Sequence, residues 1–171
     1  MKKKTLIAFI LFLLCMFGLV TGKYLLTPAG RTIESREKLL GNTPSGTAWK
    51  IATEQQIEDY IISGIYSDDG KVGIAVFKPD GKYRYKQQSK KWRGSSDVII
   101  DGVIINDTWY DLIWFNEVQT DYAEITYKIK GHDDEVIRHE ADNQEIFYHT
   151  VEAKEYSIEV IYYDKEGNKF E

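Results

Sequence analysis

Trp109-Tyr110-Asp111-Leu112-Ile113-Trp114-Phe115 is apolar or aromatic on both faces that a β-strand would present, with Asp111 the one exception. Successive strand side chains point to opposite faces, so a strand packed on one side only alternates apolar with polar residues. A strand that does not alternate is expected to be covered on both faces. The preceding run, Val98-Ile99-Ile100-Asp101-Gly102-Val103-Ile104-Ile105, has the same character. Asn106-Asp107 separates the two runs, and such a pair between apolar stretches predicts a two-residue hairpin. Residues 97–115 are therefore the expected hidden centre of a β-rich domain. A competing reading makes Trp109 and Trp114 an exposed recognition patch, because aromatic side chains anchor many interfaces. If the strand is buried, Asp111 needs hydrogen-bond partners.

Working outward, residues 122–130 alternate cleanly: Ala123, Ile125, Tyr127 and Ile129 on one side, Glu124, Thr126, Lys128 and Lys130 on the other. That is an antiparallel strand with one wet face. Tyr156, Ile158, Val160 and Tyr162 repeat the pattern. Asp68-Asp69-Gly70 separates strand 62–66 from strand 71–78, and Pro79-Asp80-Gly81 separates the latter from strand 82–88. In both turns glycine supplies the positive φ. Short strands punctuated in this way predict a sandwich or small barrel. Upstream, Thr53 and Gln56 have capping-box spacing, and Ile57, Tyr60 and Ile61 lie at helical spacing. They predict a helix over 53–63. Residues 32–40 have helical composition but a sparse apolar stripe.

The stretch Tyr156-Ser157-Ile158-Glu159-Val160-Ile161-Tyr162-Tyr163-Asp164-Lys165-Glu166-Gly167-Asn168 resembles the closing hairpin of bacterial immunoglobulin-like surface domains. The resemblance implies an immunoglobulin-like sandwich as the C-terminal half. In layout the chain is similar to small membrane-anchored or exported proteins of bacilli, a likeness that implies no activity. The expected fold class is thus mainly β: an N-terminal transmembrane helix, then one α-helix packed on antiparallel β-sheets whose C-terminal half is immunoglobulin-like.

The transmembrane element is read from Lys2, Lys3 and Lys4 followed by the charge-free window 5–22, 18 residues long. As helix it measures about 27 Å, just enough for a bilayer core. The lysines keep the N-terminus on the cytoplasmic side. The expectation is a single-pass membrane protein with its C-terminal domain outside. The alternative is secretion after cleavage before Lys23, with Val20 and Gly22 as the small residues that a cut requires. Domain boundaries follow: 1–22 signal anchor or signal peptide, 23–48 stalk or linker ending in the loop 41–46, and 49–171 an extracytoplasmic domain with a sub-boundary near 93–97. Cys15 is the only cysteine, so the outer domain holds together without disulfides.

Charge is unevenly spread. Residues 54–171 carry 25 acidic and 14 basic residues, a net of −11, whereas 23–53 carries five basic and two acidic, a net of +3. Inside the acidic part lies a basic strip: Lys78, Lys82, Arg84, Lys86, Lys90, Lys91 and Arg93, opposed only by Asp80. In a strand 82–88, Lys82, Arg84 and Lys86 share a face. Such a strip suits a polyanion, here an anionic envelope polymer, lipid headgroups or a membrane protein; the compartment argues against nucleic acid. Lysines that blunt an exposed edge strand give the same pattern.

Catalytic and metal chemistry find little support. His139 and His149 face each other only if 135–140 and 145–150 pair as a hairpin, with Glu140 nearby, and His132 stands apart. The acidic groups Asp68-Asp69, Asp133-Asp134-Glu135 and Asp164/Glu166 each fall where a turn is wanted. Ser89, Ser95 and Ser96 lack the elbow of a nucleophilic serine. The sequence therefore predicts a non-catalytic binding or envelope-accessory module without cofactor. The alternative is an anchored regulator that engages another membrane protein through the aromatic strand.

Overall fold

The computed structural model describes residues 12, 16, 29–82, 84–94, 98–116, 120–141, 145–152 and 155–170. Among the described residues, helix α1 (Ile33–Leu40) precedes eleven strands. These are β1 (Trp49–Ile57), β2 (Tyr60–Ser67), β3 (Val72–Pro79), β4 (Tyr85–Arg93), β5 (Val98–Ile105) and β6 (Thr108–Phe115), then β7 (Tyr122–Ile129), β8 (Glu135–Glu140), β9 (Ile146–His149), β10 (Tyr156–Tyr163) and β11 (Lys169–Phe170). They form three antiparallel sheets with the orders β1-β2-β3-β4, β5-β6-β9 and β11-β10-β7-β8.

The sheets stack, and the stacking explains which strands alternate. Ile62, Val72, Ile74 and Val76 of the first sheet meet Ile99, Val103, Leu112, Trp114 and Ile146 of the second in one core. The opposite face of the second sheet, with Ile113 and Phe115, packs on Ala123, Ile125 and Tyr127 of the third. The β5-β6-β9 sheet is thus sandwiched between the other two, and its apolar character on both faces is what that position requires. Sheet three has one wet face, and β7 shows the expected period-two burial. The turn joining β5 to β6 is Asn106-Asp107, with φ of 45° and 67°. Positive φ at both central residues gives the twist that a two-residue hairpin needs.

Residues 53–63 are not a helix. They span β1 and β2, whose ladder runs from Trp49↔Ser67 to Ile57↔Tyr60 around Glu58-Asp59. The helical spacing of Ile57, Tyr60 and Ile61 arises because two short strands meet at a turn without glycine, asparagine or proline. Glu58 takes φ 53°, a conformation that the sequence does not advertise. Tertiary burial decides the matter: Ile57 and Ile62 enter the inter-sheet core, and Ile61 and Ile65 pack beneath α1.

The helix lies instead in the segment expected to be stalk. Thr32 caps α1, its Oγ1 accepting the Ser35 amide at 3.2 Å, and Gly41 ends it with φ 67°. From Ala29 onward this segment belongs to the folded body. Leu40 and Leu39 pack with Trp49, Ile65, Ala75 and Phe77 on the outer face of the first sheet. Arg36, 5% exposed, grips Glu54 with two nitrogens, Nε to Oε1 at 2.7 Å and a second bond to Oε2, and donates to Gly30 O at 2.7 Å. Because α1 covers that face, β2 and β3 are also buried on both sides. The expected anchor, residues 5–22, lies outside the described residues except for Phe12 and Met16. Among the described residues no helix is long and apolar enough to cross a membrane.

Candidate functional site

β4 is an edge strand of the first sheet, and the basic strip is distributed along it and the turn before it. The strand begins at Tyr85, so Lys82 lies in the turn and Arg84 just ahead of the strand. The expected strand over 82–88 is displaced, and the face shared by Lys82, Arg84 and Lys86 does not form as a strand face. A different set of cations shares a face. Cross-strand partners point to the same side, and the register pairs Lys78 with Lys86, Ile74 with Lys91 and Val72 with Arg93. Val72 and Ile74 face the second sheet, so Lys78, Lys86, Lys91 and Arg93 project on that side. Lys90 points the other way, towards α1: its Nζ donates to Leu40 O at 2.7 Å and lies 5.2 Å from the Trp49 ring centroid. Burial lowers the Lys90 pKa.

Partners divide the strip further. Lys91 pairs with Asp101, a buried carboxylate of β5 that also accepts the Gly102 amide at 2.7 Å. Lys86 Nζ meets Asp80 Oδ1 at 3.0 Å in an exposed pair. Among the described residues no carboxylate lies within ion-pair distance of Lys78 or Arg93. Lys78 and Lys86 face each other as like charges, and Asp80 offsets only the charge on Lys86. Where β4 overhangs β5, Lys90, Lys91, Trp92, Arg93, Ile99 and Ile100 line a cleft of about 340 Å³. Trp92, 41% exposed, was hidden in the sequence by the cations beside it; its signal was an aromatic inside a basic run.

The two tryptophans of β6 part company. Trp114 is 1% exposed and fills the core between the first two sheets. A Cβ on Gly64 would fall 2.7 Å from its indole, which is why a residue without a side chain stands there. Trp109, on the opposite face, is 45% exposed. It lies over Gly102, where a Cβ would fall 2.0 Å from Cζ2, and its Nε1 donates to Asp111 at 2.9 Å. Asp111 is buried and also accepts the Tyr156 hydroxyl at 2.7 Å. These are the partners its burial demands. Burial, then the bond to Asp111, pushes the Tyr156 pKa up. Ile104, directly opposite Trp109 in the ladder, is exposed too, and nothing in its sequence context singles it out from its apolar neighbours.

The histidine hairpin does not form. β8 pairs with β7 and β9 with β6, which puts His139 and His149 in different sheets. Both rings instead contact Phe147, at centroid distances of 4.6 Å and 6.3 Å. Among the described residues no group of three histidine, cysteine, aspartate or glutamate side chains could hold a metal ion. The acidic turns do structural work. Asp69 accepts from Lys71, Ser45, Ser67 and Thr43, and Asp164 accepts the amides of Glu166 and Asn168. No protein-family model, curated protein or solved structure matches this chain.

Proposed function

We propose that this chain is an extracytoplasmic module, anchored through residues 5–22, that binds an anionic component of the cell envelope without catalysis. The observation that carries the reading is the cationic face of the β3–β4 edge, with Lys78 opposite Lys86 and both on the side of Lys91 and Arg93. Lysines on an edge strand also discourage pairing with other chains. A like-charged pair goes beyond that need, since one lysine suffices to blunt an edge and Asp80 neutralises only one of the two. Lys82 and Arg84 add to the same turn. A phosphate-rich polymer would sit along these side chains as their counterion.

The C-terminal half is read as an immunoglobulin-like sandwich. Supporting this is the strand order: β5-β6-β9 facing β8-β7-β10-β11, with the chain crossing between the two sheets after β6, β8 and β9. The reading also accords with the likeness in layout to small membrane-anchored proteins of bacilli.

Retention of the full chain on immobilised poly(glycerol phosphate) tests the function. Binding should weaken steeply as salt rises, because exposed charges are screened within about 10 Å at 0.1 M ionic strength. It should be lost on replacing Lys82, Arg84 and Lys86 together by glutamate. Salt-independent retention, or none, refutes the reading. A second reading, a regulator that engages a membrane protein through the aromatic strand, is favoured by the exposure of Trp109 beside Ile104. Trp114 takes no part in it. That reading expects a co-purifying partner whose contact shields Trp109 from acrylamide.

A further inference from the structure

The chain enters its folded domain through the cationic end. Ala29 O accepts the Tyr85 amide at 2.8 Å, and Gly30 lies so close to Tyr85 that a Cβ there would fall 2.8 Å from Tyr85 Cβ. Arg84 and Lys86 flank Tyr85, Lys78 stands opposite Lys86, and the turn carrying Lys82 closes through Asp80 N to Arg84 O at 2.8 Å. Between Gly22, where the expected membrane span ends, and Ala29 lie only residues 23–28. Six residues reach about 20 Å at full extension.

From this juxtaposition we infer that the end formed by Lys78, Lys82, Arg84 and Lys86 docks on the anionic phospholipid headgroups of the membrane that holds residues 5–22. The inference rests on the anchored, anion-binding reading above and names its ligand. A tether this short keeps the cations at high effective concentration over the lipid surface, so weak individual attractions suffice. The backbone bond from Tyr85 to Ala29 stops this end from swinging away from the point where the chain leaves the domain.

The exposed apolar pair lies at the same end. Gln88 Nε2, two residues beyond Lys86, donates to Ile104 O at 3.4 Å, and Ile104 is the cross-strand partner of Trp109. Cations beside an exposed tryptophan suit the boundary between headgroups and acyl chains. Of the carboxylates there, Asp80 is engaged with Lys86 and Glu58 with Asn106 and Tyr110; Asp59 and Asp107 remain exposed beside them.

Amine-reactive labelling of the full chain in lipid nanodiscs, read by mass spectrometry, tests this. With phosphatidylglycerol present, Lys78, Lys82 and Lys86 should label roughly threefold or more slowly than in phosphatidylcholine alone, and high salt should abolish the difference. Lys71 and Lys165, in turns at the other end of the stack, should label equally in both. No difference at the three lysines, with poly(glycerol phosphate) still protecting them, overturns the lipid assignment and leaves the anionic-polymer reading standing. Protection by neither overturns both. A chain that does not stay with the discs because it begins at Lys23 overturns the inference as well, since the tether is then absent.

Discussion

Replacing Arg36 by alanine tests whether α1 is part of the domain. The guanidinium makes two charge-assisted bonds to Glu54 and one to the Gly30 carbonyl. Breaking a fully buried ion pair by removing one partner costs about 3–5 kcal/mol, because the remaining charge is stranded. Glu54 keeps some contact with water, its side chain being 19% exposed, and it retains the Ser63 hydroxyl at 2.8 Å. The expected cost is therefore about 2–4 kcal/mol. In a domain of this size that lowers Tm by roughly 5–15 °C. Urea denaturation followed by tryptophan fluorescence measures the cost, and Trp49, under the helix, makes the signal local as well as global. Amide hydrogen exchange should show the α1 amides of Arg36→Ala losing protection before those of β2 and β3. A double-mutant cycle with Glu54→Ala should return a coupling of about 1–3 kcal/mol. If Arg36→Ala stays within about 0.5 kcal/mol of the parent and α1 protection is unchanged, the helix is not held by this pair and the reasoning fails.

Three further outcomes follow from the packing. Trp114→Ala should cost about 3–5 kcal/mol and Trp109→Ala much less, a contrast that denaturant midpoints resolve and that equal costs would refute. Asp107→Gly should raise the unfolding free energy by up to about 1 kcal/mol, since Asp107 holds φ 67° without glycine; a loss of stability there counts against the hairpin geometry. The bond from Lys71, with the hydroxyls of Ser45 and Ser67, holds the Asp69 carboxyl well below the usual carboxylate range. Its folded pKa is depressed, so its contribution is complete above about pH 4, where the unfolded carboxyl titrates, and fades as the pH falls further. The gap in stability between the parent and Asp69→Asn should be widest at neutral pH and narrow in acid; a gap that does not narrow rules this out.

What was legible in the sequence was local. The 98–105 and 108–115 strands and their Asn106-Asp107 turn match the ladder, because side-chain period and turn chemistry act within a few residues. The glycine turns at Gly70 and Gly81 were visible for the same reason, both residues taking positive φ. Residues 53–63 read as helix because Glu58-Asp59 carries no glycine, asparagine or proline, and because Thr53 and Gln56 fit a capping box as well as they fit a strand. Residues 32–40 looked too weakly amphipathic for a docked helix. Their docking depends less on an apolar stripe than on one buried arginine and two leucines.

The surfaces show the same division. Composition alone marked the basic strip, but only the ladder could say that Lys90 turns back onto α1, that Lys91 spans to Asp101, and that Lys78 confronts Lys86. Trp109 and Trp114 are indistinguishable in sequence, five residues apart in one apolar run. One is core and the other surface because the first sheet covers one face of β6 and the third sheet covers only part of the other. Sequence patterning suffices for the central hairpin, the alternating strands β7 and β10, the glycine turns and the uneven charge, since backbone propensity and side-chain alternation are properties of neighbouring residues. How the three sheets stack, which face of each strand is hidden, and that the chain enters beside Tyr85 emerge from long-range packing, because burial is set by residues far apart in the chain.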